Sequence, residues 1–500
     1  MAGEVLAHLL EFQPSAPEVQ QKREYDAAAR QFVAKVSNIS HPHFLKGAET
    51  SGDVLEILHP ESNSIAYIFA LHARISALSD AKFQKGIPDQ LRPGGYIWNK
   101  VENFMQNFDP VQVRYVGQEW RRLMDYLERV ARLMGSPGVA ISPIRSGLLR
   151  LDPLSGTFTL THLYFIRLCM ETRSYTAALP ILDNYISSLP STLPAAILQG
   201  MEYSSPSANH VVSGEYIHAK SGHTDKITMA DVQEYYVLGA MAYLGLSQFN
   251  KAKQFLEHAL VAPANNVANG LMLEAYKKWV LLSCLVDGTI KGLPRTANTA
   301  AIKQIRTSSK AYEALADAYT QLRNLPKLKA QINAGKDLWA EDGNTGLVKE
   351  LLEQQQKLYI SWLSRTYSAI PVTNFAGNLG LTKDELTGKL EELINKGQLN
   401  ATIQRSGAGD ILRFFLDPTQ GPLAKTETQQ QQALYEQTQR TNLLAEQVKS
   451  ADYRLSLTKE YIEHIKRQNK KMAANASGEP MDTTWDDGME AEEDLMGDLH

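Results

Sequence analysis

Apolar residues in this chain recur three and four positions apart to about residue 365, and strict alternation is nearly absent. That spacing turns one stripe of each segment toward a core and predicts a chain built mainly of α-helices. QEWRRLMDYLERVARLMG, from Gln118, reads as an amphipathic helix stopped by Gly135, Ser136, Pro137 and Gly138. After Thr159, LTHLYFIRLCMETRSYTAALPILDNYI reads as two helices hinged at the polar turn around Arg173 and Ser174. The layout returns at Tyr235 as YYVLGAMAYLGLSQFNKAKQFLEHALVAP. In both, an aromatic opens the second helix and an alanine follows three residues later, Tyr175 with Ala178 and Phe249 with Ala252.

Small residues at those positions let paired helices approach closely, as tetratricopeptide-type hairpins require, and the two turns lie about two such repeats apart. The expected architecture is therefore a degenerate helical-repeat solenoid. The stretch from Leu189 to Asp231 is rich in Ser, Pro, Gly and His without periodicity and reads as a surface insertion; Lys85 to Tyr96 reads as another loop. Thr228 with Asp231 forms a capping-box pattern at the next helix start.

After Leu358 the pattern changes. LYISWLSRTYSA is helical, IPVTN short and β-like, FAGNLGL a brief second helix. TKDELTGKLEELINKGQL is a third helix with Leu386, Leu390, Leu393 and Ile394 on one face and Gly397 at its end. LNATIQR and ILRFFL are strand-like runs around the tight turn SGAGD. Helix, short strand, two helices and a two-stranded wing describe a winged helix. A long polar helix follows, in which Leu434, Thr441, Val448, Leu455 and Ile462 recur every seven residues. Leu444, Ala451 and Ile465 stand three places after members of that set, and Gln437 and Thr458 interrupt it. A heptad seam on a hydrophilic helix points to neighbouring helices, the other reading being a helix folded back on its own domain. Beyond Ala473 the chain is acidic, without Lys or Arg, and interspersed with Trp485, Met489, Leu495 and Met496; its composition predicts disorder. The expected organisation is an N-terminal helical region (1–117), tetratricopeptide-like repeats (118–350), the winged helix (351–420), a bundle helix (426–472) and an acidic tail (473–500).

Five hundred residues with 43% hydrophobic content allow several cores, and the net charge of −4 is unremarkable. Only Cys169 and Cys284 are present, both in apolar helical runs, as suits buried thiols in a reducing compartment. No apolar run is long enough to span a membrane and the first residues lack a secretory pattern, so a cytoplasmic and nuclear protein is expected.

Candidate chemistry is sparse. HPHFLKGAETSGDVLE, from His41, resembles the ligand spacing of zinc isopeptidases: Ser51 falls eight positions after His43. The carboxylate belongs three further on, where Val54 stands, and Asp53 comes one residue early. Pro42 occupies a place normally held by Ser or Thr, and no β-rich domain surrounds the segment to orient ligands. Cys169 and Cys284 sit among apolar neighbours that disfavour a thiolate, and His162, seven residues before Cys169, is a lone helical histidine. Neither a phosphate-binding GxxxxGK[ST] loop nor a dinucleotide GxGxxG is present. No enzyme activity, metal or cofactor is expected. In the third helix of the winged part, Lys383, Lys389 and Lys396 are balanced by Asp384, Glu385, Glu391 and Glu392, leaving Arg405 and Arg413 near the wing. Nucleic acid is therefore disfavoured as a partner. Assembly remains, through the wing (Ile403, Arg405, Ile411, Arg413, Phe414) and the helix seam (Leu434, Leu444, Val448, Leu455, Ile462, Ile465).

Helical repeats running into a winged helix resemble the PCI module shared by the proteasome lid, the COP9 signalosome and translation initiation factor three. Within that group, LMLEAYKKWVLLSCLVDG from Leu271, TGLVKELLEQQQKLYISWLSRTYSAIPVTNFAGNLGL from Thr345 and ELINKGQLNATI resemble the subunit 3 family of the signalosome. Gln404 departs from the pattern, standing where many such wings carry Asp. The resemblance implies a non-catalytic scaffold in a complex that removes a ubiquitin-like modifier from cullins and so regulates cullin-RING ligases. Its implied partners are other PCI subunits, joined through their winged-helix sheets and a C-terminal helical bundle, with another subunit holding the zinc. A proteasome-lid scaffold and an mRNA-handling or initiation-factor PCI protein are the alternatives.

Overall fold

The computed structural model describes residues 2–12, 23–45, 53–82, 87–153, 156–184, 186–190, 206–207, 213–262, 268–294, 296–321, 324–379, 382–406, 409–417, 420–424, 426–456 and 461–469. The acidic tail and parts of the 189–231 insertion lie outside them. Two compact units divide at Ile360 and Ser361.

The first unit is helical and shares one continuous core. Its labelled elements are α1 (Ser64–Lys82), α2 (Gly117–Leu133), α3 (Leu160–Glu171), α4 (Tyr175–Leu182), α5 (Met229–Gly245), α6 (Phe249–Val261), α7 (Gly270–Asp287), α8 (Lys310–Thr320) and all but the last turn of α9 (Thr345–Ser364). The 3.6-residue period shows directly in α2, which buries Trp120, Leu123, Met124, Tyr126, Leu127, Val130 and Ala131 along one side. The hairpins α3–α4 and α5–α6 close as the small residues predict, with Ala178 and Ala252 fully buried. In α5 a Cβ on Gly239 would stand 2.7 Å from the Phe255 ring of α6, so glycine there sets how closely the pair packs.

The hairpin turns share one device. Arg173 and Ser247 follow the first helix of each hairpin in the left-handed region, at φ 54° and 57°. The next amide reaches back to a helical carbonyl, Ser174 N to Cys169 O at 2.9 Å and Gln248 N to Tyr243 O at 2.9 Å. Gly135, Gly343 and Gly397 end other helices the same way, at φ 68°, 67° and 68°. Where those helices use glycine, the two hairpins carry side chains that resist the geometry.

The 189–231 segment departs from the surface insertion expected of it. Its described part enters the core, with Ile217 and His223 at 1% and 0% exposure. Two glycines allow this. Methyls on Gly117 or Gly222 would strike the opposing backbone, Ser221 O from one side and Gln118 N from the other. The Arg114 guanidinium lies 3.9 Å from the Tyr216 ring centre, and Arg121 pairs with Asp225. Thr157 Oγ1 hydrogen-bonds both Ser188 Oγ and Ser213 Oγ, at 2.9 and 2.8 Å, tying together the ends of the excursion. Contacts so distant in sequence leave no periodic trace, which explains the misreading.

The second unit holds β1 (Ala369–Pro371), α10 (Val372–Leu379), α11 (Lys383–Asn395), β2 (Ala401–Ser406), β3 (Gly409–Phe414) and α12 (Glu427–Ser456). The antiparallel sheet has order β1-β3-β2, so the short strand joins the two-stranded wing as a third member. Thr382 and Glu385 cap α11 reciprocally, and its Leu386, Leu390 and Leu393 are buried on one face. The helix read from Leu358 is the last part of α9, which runs unbroken from Thr345.

Replacing Arg173 and Ser247 with glycine removes left-handed strain from both hairpins. Each substitution is expected to stabilise the chain by roughly 0.5–1 kcal/mol, less glycine's greater unfolded-state entropy. Thermal denaturation of the two single variants and the double variant measures this; lower melting temperatures would contradict it. A second expectation concerns pH. His162 and His223 are buried, and burial pushes each imidazole down to about 4 from the ordinary 6.5. Between those values the unfolded chain binds protons that the native fold refuses. Stability is therefore fully present above pH 6.5 and falls as pH drops toward 4, by at most about 3 kcal/mol per histidine. Denaturant midpoints at pH 7.5 and 5 should diverge, and His162→Gln with His223→Gln should narrow the gap.

Candidate assembly surfaces

The register of the wing assigns its residues to faces. Ala401 lies opposite Phe414, Ile403 opposite Leu412 and Arg405 opposite Asp410, while Thr402 faces Arg413 and Gln404 faces Ile411. Side chains alternate along a strand, so the first three pairs share the inner face and the last two the outer. Ala401, Leu412 and Phe414 are buried, and Ile403 is half-buried beside them. Phe414 thus stands in the interior rather than on the wing's outer surface, because its position in β3 puts it on the buried side of the pleat. Ile411 and Arg413 are exposed on the outer face, with the Arg413 guanidinium 6.0 Å from the Phe415 ring centre. Arg405 is exposed and paired with Glu391 of α11 at 2.8 Å. Since β3 is central, the sheet's outer margins belong to β1 and β2, and β2 offers about 20 Å of backbone along its outer side.

The other surface is α12. Among its described residues none is buried. Leu434 is 66% exposed, Leu444 54%, Val448 66% and Leu455 51%. Ile462 lies in a further helical stretch (residues 461–469), exposed, and Ile465 there is half-exposed. The reading of a helix folded back on its own domain is not what the described residues show. Tyr435, Leu443 and Tyr453 are exposed as well, off the seam. The heptad reading passed over these three because it followed one register; unpaired apolar residues elsewhere on a polar helix were the available signal.

The zinc near-miss has structural roles instead. His41 and His43 are exposed on a one-turn helix (His41–Leu45), where His43 Nδ1 hydrogen-bonds Ser40 Oγ at 2.7 Å. Asp53 caps the next helix by accepting from Leu55 N at 3.2 Å and pairs with Arg74 at 2.6 Å; Ser51 lies outside the described residues. Among the described residues, no group of three or more His, Cys, Asp or Glu could hold a metal ion. Burial pushes the thiols of Cys169 and Cys284 up to about 12. His162 is committed to a helix cap, its Nδ1 accepting from Thr159 N at 3.1 Å, which leaves no base for Cys169. A cleft of about 1030 Å³ between α1 and α2 interleaves Arg122, Arg129 and Arg132 with Glu119, Asp125 and Glu128, and so concentrates neither sign of charge.

The third helix of the winged part offers little to phosphate. Lys383 pairs with Asp410 at 2.9 Å and Lys396 with Glu392. No described helix is long and apolar enough to cross a membrane.

Comparison with known proteins agrees with this arrangement. Residues 28–302 match the family model of the N-terminal helical repeats of COP9 signalosome complex subunit 3, and residues 325–408 match the PCI domain. The chain is 30% identical over 485 residues to COP9 signalosome complex subunit 3 of Emericella nidulans, covering 95% of each. It is 25% identical over 496 residues to that of Neurospora crassa, again 95% of each. With that of Arabidopsis thaliana it shares 26% over 323 residues, 64% of this chain and 66% of the relative. Mainly helical repeats, a PCI winged helix and full-length similarity lead to one conclusion: the chain belongs to the COP9 signalosome subunit 3 family.

Proposed function

We propose that this protein is a non-catalytic scaffold subunit of the COP9 signalosome, supporting removal of a ubiquitin-like modifier from cullins and so the regulation of cullin-RING ligases. The observation that carries the reading is similarity over 95% of the chain to a protein of that name, on a fold in which the described residues leave the apolar seam of α12 uncovered. The proteasome lid and nucleic-acid-handling alternatives are not favoured, the latter also because Arg405 of the wing and Lys383 and Lys396 of α11 are paired within the domain. In this reading the outer wing face and the β2 edge meet other PCI subunits, and the α12 seam enters a bundle with partner helices. Zinc chemistry belongs to another subunit. A complex acting on cullin ligases places the protein in cytoplasm and nucleus.

Magnitudes favour several shared contacts over one anchor. Closing a half-exposed Leu, Val or Ile contributes roughly 1–2 kcal/mol. Six such residues supply a sum comparable to the cost of association, about 4–15 kcal/mol, so the sheet must add to the seam.

Leu444→Glu, Val448→Glu and Leu455→Glu together are expected to leave the melting temperature within about 2 °C of wild type, since none is buried in the chain. The same triple variant, expressed at native abundance, should no longer co-purify with PCI subunits. Recovery of the variant with its partners at wild-type stoichiometry would refute the bundle. Isolation of the wild-type chain should return PCI chains with a zinc isopeptidase; lid subunits in their place would transfer the protein to the alternative complex.

A further inference from the structure

We propose that Asn400 is a positioning residue: with Gly421 it clamps the link between wing and α12, holding the sheet and the seam at one set separation. The inference rests on the assembly reading above. From its composition, with Gly421 and Pro422 among polar residues, the link reads as a tether. Its described residues are bound down instead. The Asn400 amide donates from Nδ2 to Phe415 O at 3.2 Å and to Gln420 O at 2.9 Å. Its Oδ1 accepts from Leu423 N at 3.3 Å, and its backbone O accepts from Phe415 N at 2.9 Å.

One side chain thereby joins the start of β2, the residue after β3 and both sides of the bend at Gly421. Gly421 makes this possible at φ 87°, where a Cβ would stand 2.5 Å from Asn400 Oδ1 and 2.7 Å from the Phe415 ring. Leu423 Cδ2 lies 3.4 Å from where a Cβ would sit on Gly397, carrying the attachment to the end of α11. Only Lys425 separates Ala424 from Thr426, which caps α12 in a reciprocal pair with Gln429: Gln429 N donates to Thr426 Oγ1 at 3.4 Å and Thr426 N to Gln429 Oε1 at 3.1 Å. Two Cα steps of 3.8 Å put the helix cap within about 8 Å of the clamped chain. Two weak surfaces at a set separation then engage as one, the second binding event becoming intramolecular.

Asparagine is the side chain this geometry demands. Two bonds use its amide as donor and one uses its carbonyl as acceptor. Asn400→Asp keeps size and shape but sets a carboxylate oxygen against two carbonyls. Gly421→Ala breaks the same clamp from the other side, by strain and by collision.

The test uses the full chain with Gln404→Cys and Gln431→Cys, labelled with a donor and acceptor dye. Native Cys169 and Cys284 are buried and their thiols shielded, so labelling falls on the introduced pair. Wild type should give a narrow wing-to-helix distance distribution. Asn400→Asp and Gly421→Ala should each broaden it at least about twofold, since a freed link of about ten residues samples roughly 17 Å end to end. Melting of the helical repeats should not change. In unlabelled form, both variants should enter the complex about tenfold more weakly than wild type. A broad wild-type distribution, distributions unchanged in both variants, or broadening without loss of assembly would each overturn the proposal. If wild type itself entered no complex, the assembly reading would fail, while narrow wild-type and broadened variant distributions would still establish the clamp.

Discussion

The assembly reading depends on an apolar seam along α12 that no described residue of its own chain covers. Thirty residues of α12 are amphipathic, yet no described side chain among them is buried. Helical propensity and i,i+4 pairs hold such a helix only marginally in water, because most helical stability in proteins comes from packing one face. Leu434, Leu444, Val448 and Leu455, each more than half exposed, form an apolar stripe that the described residues leave without packing, which is what the proposed bundle would cover. The first unit has the opposite economy, with one continuous core and Trp98, Trp120 and Trp279 almost wholly buried in it. In the proposed assembly, stability and association fall to separate stretches of the chain, so substitutions in the seam would alter one without the other.

Sequence made legible whatever is periodic or local. The hairpins announced themselves through Tyr175 with Ala178 and Phe249 with Ala252, and the third helix of the winged part through its leucine face and Gly397. What stayed hidden depended on long-range contact. The short β-like run at IPVTN was legible, but its pairing with β3, as Ala369–Pro371, was not. The Ser213–Thr228 stretch looked superficial because its burial rests on Gly117, about a hundred residues away, which no local pattern relates to it. Phe414 was legible as a strand residue, but its facing needed the register of β2 against β3. Asn400 gave no signal, since an asparagine before a strand is common and only its three hydrogen-bond partners distinguish it.

The absence of catalytic geometry among the described residues has physical causes particular to each candidate. Asp53 is spent on a helix cap and on Arg74, and His162 on the amide of Thr159. The two thiols lie where a thiolate would be desolvated. Asp53 and the Nδ1 of His162 are thus engaged in helix caps among the described residues.

Association through modest surfaces succeeds only when they act together. The wing's outer face mixes Ile411 and Arg413 with Thr402 and Gln404, too polar to anchor a partner alone, and the seam is interrupted by Gln437 and Thr458. Neither is a strong site. Joined by a loose chain, they would bind as two weak contacts diluted by every separation the link could sample. In the proposed clamp, a link bound down to within a few residues of the helix cap would remove that dilution, the ordering entropy being lost during folding rather than at assembly. The hydrogen bonds of Asn400 are individually worth about 1 kcal/mol. Their larger consequence lies in the geometry they impose on surfaces neither of which they touch.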